Sequence, residues 1–108
     1  MRLIILESPY SGNRRANMAY LRACLRDSLL RGEAPYASHA IYTQPGILRD
    51  EVPDERSLGI EAGFAWHRCA DASVVYYDLG VSAGMRLGIA NAKRLGIPVV
   101  WRSLISRG

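Results

Sequence analysis

The sequence predicts an α/β domain with a three-layer Rossmann-like (flavodoxin-like) fold and a mainly parallel sheet of about four to five strands. Three observations predict it. Apolar runs of strand length, "RLIILE" (2–7), "ASVVYYD" (72–78) and "IPVVWR" (97–102), alternate with segments of helical periodicity. The run 72–78 is apolar at successive positions, as a central parallel strand covered on both faces must be. Turn formers separate the runs, and the order β-α-β-loop-α-β-α-β is that of a doubly wound sheet.

Each element follows from its residues. "RLIILE" ends in "SPYSGN", a cluster of turn formers, so a buried strand runs into a loop. A helix is predicted from about Asn13 to Arg31, because Met18, Leu21, Cys24, Leu25, Ser28 and Leu29 recur at three- and four-residue spacings and Gly32 stops it. "APYASHAIY" (34–42) is the second strand candidate. "TQPGILRDEVPDERS" (43–57), with two prolines and a glycine, reads as a long loop of the kind that carries function. "DERSLGIEAGFAWHRCA" (54–70) reads as a helix with Asp54 near its cap and Ile60, Phe64, Ala65 and Trp66 as its apolar face. After the third strand, Ser82 or Ala83 begins a helix that ends at Gly96, and residues 97–102 form the fourth strand. No internal repeat or linker divides the chain, so residues 1–108 are read as one domain.

Composition narrows the function classes. The chain has 108 residues, 49% of them hydrophobic and 22% charged, which suits one core and excludes a disordered tail. The net charge of +4 favours anionic partners. The arginines are scattered instead of forming a stripe, which points to a small anionic ligand and away from long nucleic acid. The apolar runs are too short to cross a membrane, and the N-terminus lacks the basic, apolar and small-residue succession of a signal peptide, so a cytoplasmic address is expected. Cys24 and Cys69 stand alone, with no CxxC pair and no histidine at ligand spacing. They are expected to be buried or half-buried structural thiols, with no metal site and no cofactor.

In a doubly wound sheet, ligands sit at the carboxyl ends of the strands near the reversal of strand order. That rule selects "ESPYSGN", with Glu7, Ser8, Tyr10, Gly12 and Asn13; "SHAIY", with His39; and "DLGVSAGM", with Asp78, Ser82, Gly84 and Met85. Ser82 and Gly84 would bring backbone N–H groups and a hydroxyl to a helix N-terminus, where the dipole and the unpaired donors favour a phosphate. "SxG" before a helix is also a common cap, and a histidine at a strand end is often structural. Glu61 lies between Gly59, Ile60, Ala62 and Gly63, small or apolar neighbours that let a ligand approach.

The features "ESPYSGN", "ASH", "IEAGFAWHRCADASVVYYDLG" and "SAGMRLGIANAKRLGIPVVW" stand in order over most of the chain. By them the sequence resembles the nucleoside 2-deoxyribosyltransferase-like superfamily, which includes the 2'-deoxynucleoside 5'-phosphate N-hydrolases, and most closely small phage proteins of that group. The resemblance implies a loop lining the sugar site at Tyr10, an acidic contact to the nucleoside at Glu61, and reception of the 5' group by Ser82 with Gly84. It implies a neighbouring subunit that completes the site, for which Ser103 and Arg107 are the candidates. A homodimer or dimer of dimers is therefore expected, to be checked by light scattering, in the host cytoplasm if the chain is phage-encoded. The family nucleophile is a glutamate in a "G-Y-E-L-G" or "F-E-L-G" string. Here the string is "GMRLG", and Arg86 stands in that place.

An arginine offers five donors and no lone pair, so it cannot attack carbon. Two readings follow. Either Glu61 or Glu7 supplies the carboxylate of an N-glycosidase or deoxyribosyltransferase acting on a nucleotide, or the chain binds and sequesters a nucleotide without cleaving it, Arg86 gripping the phosphate.

Overall fold

The computed structural model of the chain describes residues 1–105. β1 (Arg2–Glu7) starts the sheet as an apolar run whose side chains alternate between two covered faces. β2 (Glu33–Tyr36) and β3 (Ala72–Tyr76) pair with it on either side, and β4 (Val99–Arg102) pairs with β3. All three pairings are parallel and the strand order is β2-β1-β3-β4. The order reverses between β1 and β3, where the two chain directions diverge and a crevice opens.

α1 (Arg14–Leu30) covers one face. Its start is set by Asn13, whose Oδ1 accepts from the Ala16 N–H at 3.1 Å, and by Gly12 at a φ of +96°. Leu21 and Cys24 pack on Ile4, Leu6, Val74 and Tyr76, with Met18, Tyr20 and Leu25 around them. Leu29, expected on the inner stripe, is 52% exposed, because the buried stripe runs through Asn17, Leu21, Cys24 and Ser28, and the next residue turns about 100° away from it. The other face carries α4 (Ala83–Arg94), whose Met85 and Ile89 pack on Val75 with Val81 and Val99. Ser82 caps it by accepting from the Met85 N–H at 3.2 Å.

Two elements differ most from the sequence reading. Residues 34–42 do not form one strand: β2 ends at Tyr36, opposite Ile5, and a single turn, α2 (Ser38–Ile41), follows. His39 therefore stands on a helical turn and not at a strand end. The helix predicted over 54–70 is α3 (Pro53–Ala65), and a 3₁₀ turn over Trp66–Cys69 continues from it. Pro53 suits the first helical turn, where its missing N–H leaves no bond unmade, and Asp54 and Glu55 complement the helix dipole there. Cys24 is buried, but Cys69 is exposed, since it falls at the end of that 3₁₀ turn and not on a packed helical face. Among the described residues no helix is long and apolar enough to cross a membrane.

Candidate functional site

A cleft of about 190 Å³ opens at the carboxyl ends of β1 and β2. Its floor is Ile5, Leu6 and Glu7, and its walls come from the loop after β1, α2, the inner side of α3 and the N-terminal turn of α4. The loop after β1 is held from below, where the Asn17 side chain of α1 donates to the carbonyls of Tyr10 at 3.0 Å and Ser11 at 2.9 Å. That brace leaves Tyr10 as part of the lining.

Glu7 is the last residue of β1 and lies at the reversal of strand order. Strand alternation turns it toward α4, opposite to Leu6, which packs under α1. Part of its surface faces the cleft, yet protein closes around the carboxyl on the remaining sides. An ideal Cβ placed on Gly88 of α4 would lie 2.0 Å from Oε2 and 2.7 Å from Cδ. Among the described residues no side chain or backbone group hydrogen-bonds this carboxyl. Burial without a partner disfavours the anion and raises the Glu7 pKa to about 8.

Beside it, a 2.8 Å hydrogen bond joins Ser8 Oγ to His39 Nε2. Ser8 is buried, and burial lowers the His39 pKa to about 4, so the ring is uncharged at neutral pH. His67 lines the far wall; its Nδ1 lies 2.8 Å from Asn91 Nδ2, and burial lowers its pKa as well. The Tyr36 hydroxyl donates to that of Tyr42 at 2.6 Å, and the Tyr36 ring stands 5.1 Å from that of Trp66, forming an aromatic flank. The cleft thus offers apolar and aromatic walls, two neutral imidazoles and, on its floor, the carboxyl of Glu7.

Its charged rim was not read from the sequence. Asp50 accepts from Arg56 Nη1 through both oxygens at 3.1 Å, and Arg14 Nη2 stands 3.9 Å from Asp50 Oδ2. The second terminal nitrogen of Arg56 lies 3.9 Å from where a Cβ on Gly84 would be, and Ser82 Oγ lies equally close to that point. A guanidinium therefore overhangs the N-terminus of α4. The available signal was the long polar segment 43–57, which holds both Asp50 and Arg56.

The structure brings Glu7, Ser8, Tyr10, His39, Ser82, Gly84 and Met85 to this cleft. It does not bring Glu61 or Arg86. Glu61 is exposed, on the side of α3 away from Gly59, Ile60 and Gly63, which do line the cleft. Arg86 is exposed beside a separate shallow groove with Val81, Ile89, Lys93 and Trp101. On α4 it is positions 84, 85 and 88 that turn inward, and a residue at 86 points about 100° or more away from them. Gly12 and Asn13 shape the start of α1 and lie outside the lining. Asp78 is engaged elsewhere. It accepts from Tyr20 Oη at 2.5 Å, from the Leu104 N–H at 3.0 Å and from the Ser103 hydroxyl. Partial burial opposes its ionisation, but those donors outweigh it and hold the carboxyl down at about 2. Ser103 thus meets Asp78 within the same chain, and Arg107 lies outside the described residues.

The sequence profile of a family described as "Domain of unknown function (DUF7768)" matches residues 2–102. In structure the chain is similar to a 2-deoxyribosyltransferase from the psychrotolerant bacterium Bacillus psychrosaccharolyticus, with a TM-score of 0.64 and 18% identity over 94% of this chain and 72% of that one. It is also similar to a 2-deoxyribosyltransferase from Leishmania mexicana, with a TM-score of 0.52 and 17% identity over 99% of this chain and 67% of that one. At such identities the likeness is one of fold. No curated protein matches the sequence.

Proposed function

The chain belongs to the DUF7768 family and has the fold of the 2-deoxyribosyltransferases, and from that premise we propose that its cleft cleaves or exchanges the N-glycosidic bond of a (deoxy)nucleoside 5'-phosphate. Glu7 is the attacking group. Its ionised oxygen bonds to the anomeric carbon, the bond to the base nitrogen breaks, and the electron pair leaves with the base, which takes a proton from solvent. Water, or a second base, then attacks the same carbon and releases Glu7.

One observation carries this reading: a carboxyl without a partner, buried at the strand-order reversal of a cleft lined by aromatic and apolar groups. Burial raises the energy of the carboxylate in the free protein. Positive charge developing on the sugar ring offsets that cost in the transition state, which is the differential binding that accelerates a reaction. The overhanging Arg56 with Ser82 and Gly84 supports a 5'-phosphate as the anionic end of the substrate.

The test is base release, followed by chromatography, from a panel of nucleoside 5'-monophosphates. Wild type and Glu61→Ala should release base at similar rates, and Glu7→Gln should lose at least about a hundredfold in kcat. Because the ionised form acts, kcat/KM should rise with pH up to about 8, the value burial gives Glu7. Nucleotide binding with no release from any member of the panel would favour the sequestering reading instead. That reading has its own support in α4, whose cleft-lining residues Ala83, Gly84 and Met85 include no carboxylate.

A further inference from the structure

Gly88 sits in the middle of α4, a helix interior where glycine is about 1 kcal/mol poorer than alanine. Backbone freedom does not account for it, since its φ is not in the left-handed region. Close approach does. A methyl group there would fall 2.0 Å from Oε2, 2.7 Å from Cδ and 3.1 Å from Oε1 of Glu7, so the volume a side chain at 88 would fill is the volume the Glu7 carboxyl fills. The three heavy atoms nearest to that point all belong to the Glu7 carboxyl. The displaced group is the buried carboxyl itself, at the end of a short side chain whose root is fixed in β1 by pairing with Val75.

We propose that Gly88 is the positioning residue of the cleft: its missing side chain is what seats the Glu7 carboxyl, and the same seat could be filled by a carboxyl carried on α4 at position 88. The functional half rests on the reading of Glu7 as the attacking carboxylate; the geometric half does not. The titratable groups that share the cleft with Glu7 are Tyr10, Tyr36, His39, Tyr42, Asp50, Glu55, Arg56 and His67, and none of them hydrogen-bonds its carboxyl. Seating against α4 is therefore the constraint on where that carboxyl points.

The experiment is a cycle of four proteins at pH 7: wild type, Gly88→Ala, Glu7→Ala and Glu7→Ala/Gly88→Ala, with thermal midpoints measured for each, together with Glu7→Ala/Gly88→Glu. Alanine at 88 should lower the midpoint by several degrees in the wild-type background and raise it in the Glu7→Ala background, where the seat is vacant and only helix propensity remains. The same sign in both backgrounds would overturn the proposal. If Gly88→Ala fails to fold, recovery in Glu7→Ala/Gly88→Ala is the expected result, and failure of that protein too would overturn it. For a reaction that wild type performs, Gly88→Ala should lower kcat at least tenfold with little change in KM. Glu7→Ala/Gly88→Glu should recover at least tenfold over Glu7→Ala, a rescue that a space-filling role for Gly88 would not produce. Wild type without base release would defeat the functional reading, while the midpoint cycle would still decide the seat.

Discussion

Two glutamates are packed into the same sheet and are treated in opposite ways. Glu33 opens β2 and is 7% exposed. Its two oxygens accept from Arg102 Nη1 at 2.8 Å and Nη2 at 2.9 Å, and Ser28 Oγ adds a third donor at 2.8 Å. Those hydrogen bonds, led by Arg102, outweigh burial and lower its pKa. Glu7, three residues beyond Ile4 on the neighbouring strand, has no donor and its pKa rises to about 8. Burial is common to both, so the partner decides the sign. The first arrangement ties β2 to β4 through a charge pair. The second leaves a carboxyl with unmade bonds facing a cleft, which is what a reacting group requires and a structural one avoids.

The largest expected effect lies on the structural side of that comparison. Glu33→Ala would leave the Arg102 guanidinium, which also donates to Tyr76 Oη at 3.0 Å, half-buried without its counter-charge. Removing one member of a buried pair costs about 3–5 kcal/mol, and urea denaturation at pH 7 should show a loss of that order. A loss below about 1 kcal/mol would mean that the two glutamates differ less than their surroundings indicate.

A second expectation follows from the signs of the two pKa shifts. In the unfolded chain Glu7 gives up its proton near 4.5, while the folded protein holds it to about 8. Between those values the unfolded state binds fewer protons than the folded one, so wild-type stability falls as pH rises. Glu7→Gln removes this dependence. The variant should match wild type near pH 4 and gain on it by about 1.4 kcal/mol per pH unit between about pH 5 and 8, as measured by denaturation across that range. Glu33 runs the other way: its folded pKa is lowered, so its contribution is present above the ordinary carboxylate range and is lost as pH falls through the folded value. The deficit of Glu33→Gln should therefore shrink on acidification. Parallel pH profiles for the two variants would break the comparison.

How much of this was legible in the sequence depends on which interactions are local. The limits of β1 and the start of α1 near Asn13 follow from nearby residues and match the expected ones. Residues 34–42 look like a strand because apolar and small residues alternate there, but pairing with β1 ends at Ile5, and nothing in the segment itself records that. Of the expected apolar face of α3, Ile60 and Phe64 turn inward to the cleft while Ala65 and Trp66 are exposed, and the same helical spacing brings Arg56 and Gly59 into the lining and sends Glu61 outward. Glu7 stood among the candidates as a residue type. That its carboxyl packs against Gly88, within the helix of the sheet's last crossover, is a long-range contact, and no short-range pattern links the two.

The smallest expected effect concerns the two arginines and sharpens the contrast between the cleft and the outer surface. Arg56 is held by Asp50 through one terminal nitrogen, and the other overhangs Gly84 and Ser82 at the first turn of α4. Arg86 stands on the opposite side of that helix with Lys93 and Trp101. If the 5'-phosphate of a nucleotide lies at the α4 N-terminus, Arg56 donates to it and Arg86 does not. A hydrogen bond to a charged group contributes about 1.5–3 kcal/mol, so Arg56→Ala should weaken binding of a 5'-monophosphate by about tenfold to a hundredfold. Binding of the matching nucleoside, which lacks the anion, should change much less. Arg86→Ala should leave both within about 0.5 kcal/mol of wild type, as exposed substitutions do. Titration calorimetry with the nucleotide and nucleoside pair measures all four values. Equal losses for the two arginines would place the phosphate on the outer surface of α4, and a loss confined to Arg86→Ala would return the anion to the place that the "GMRLG" string suggests.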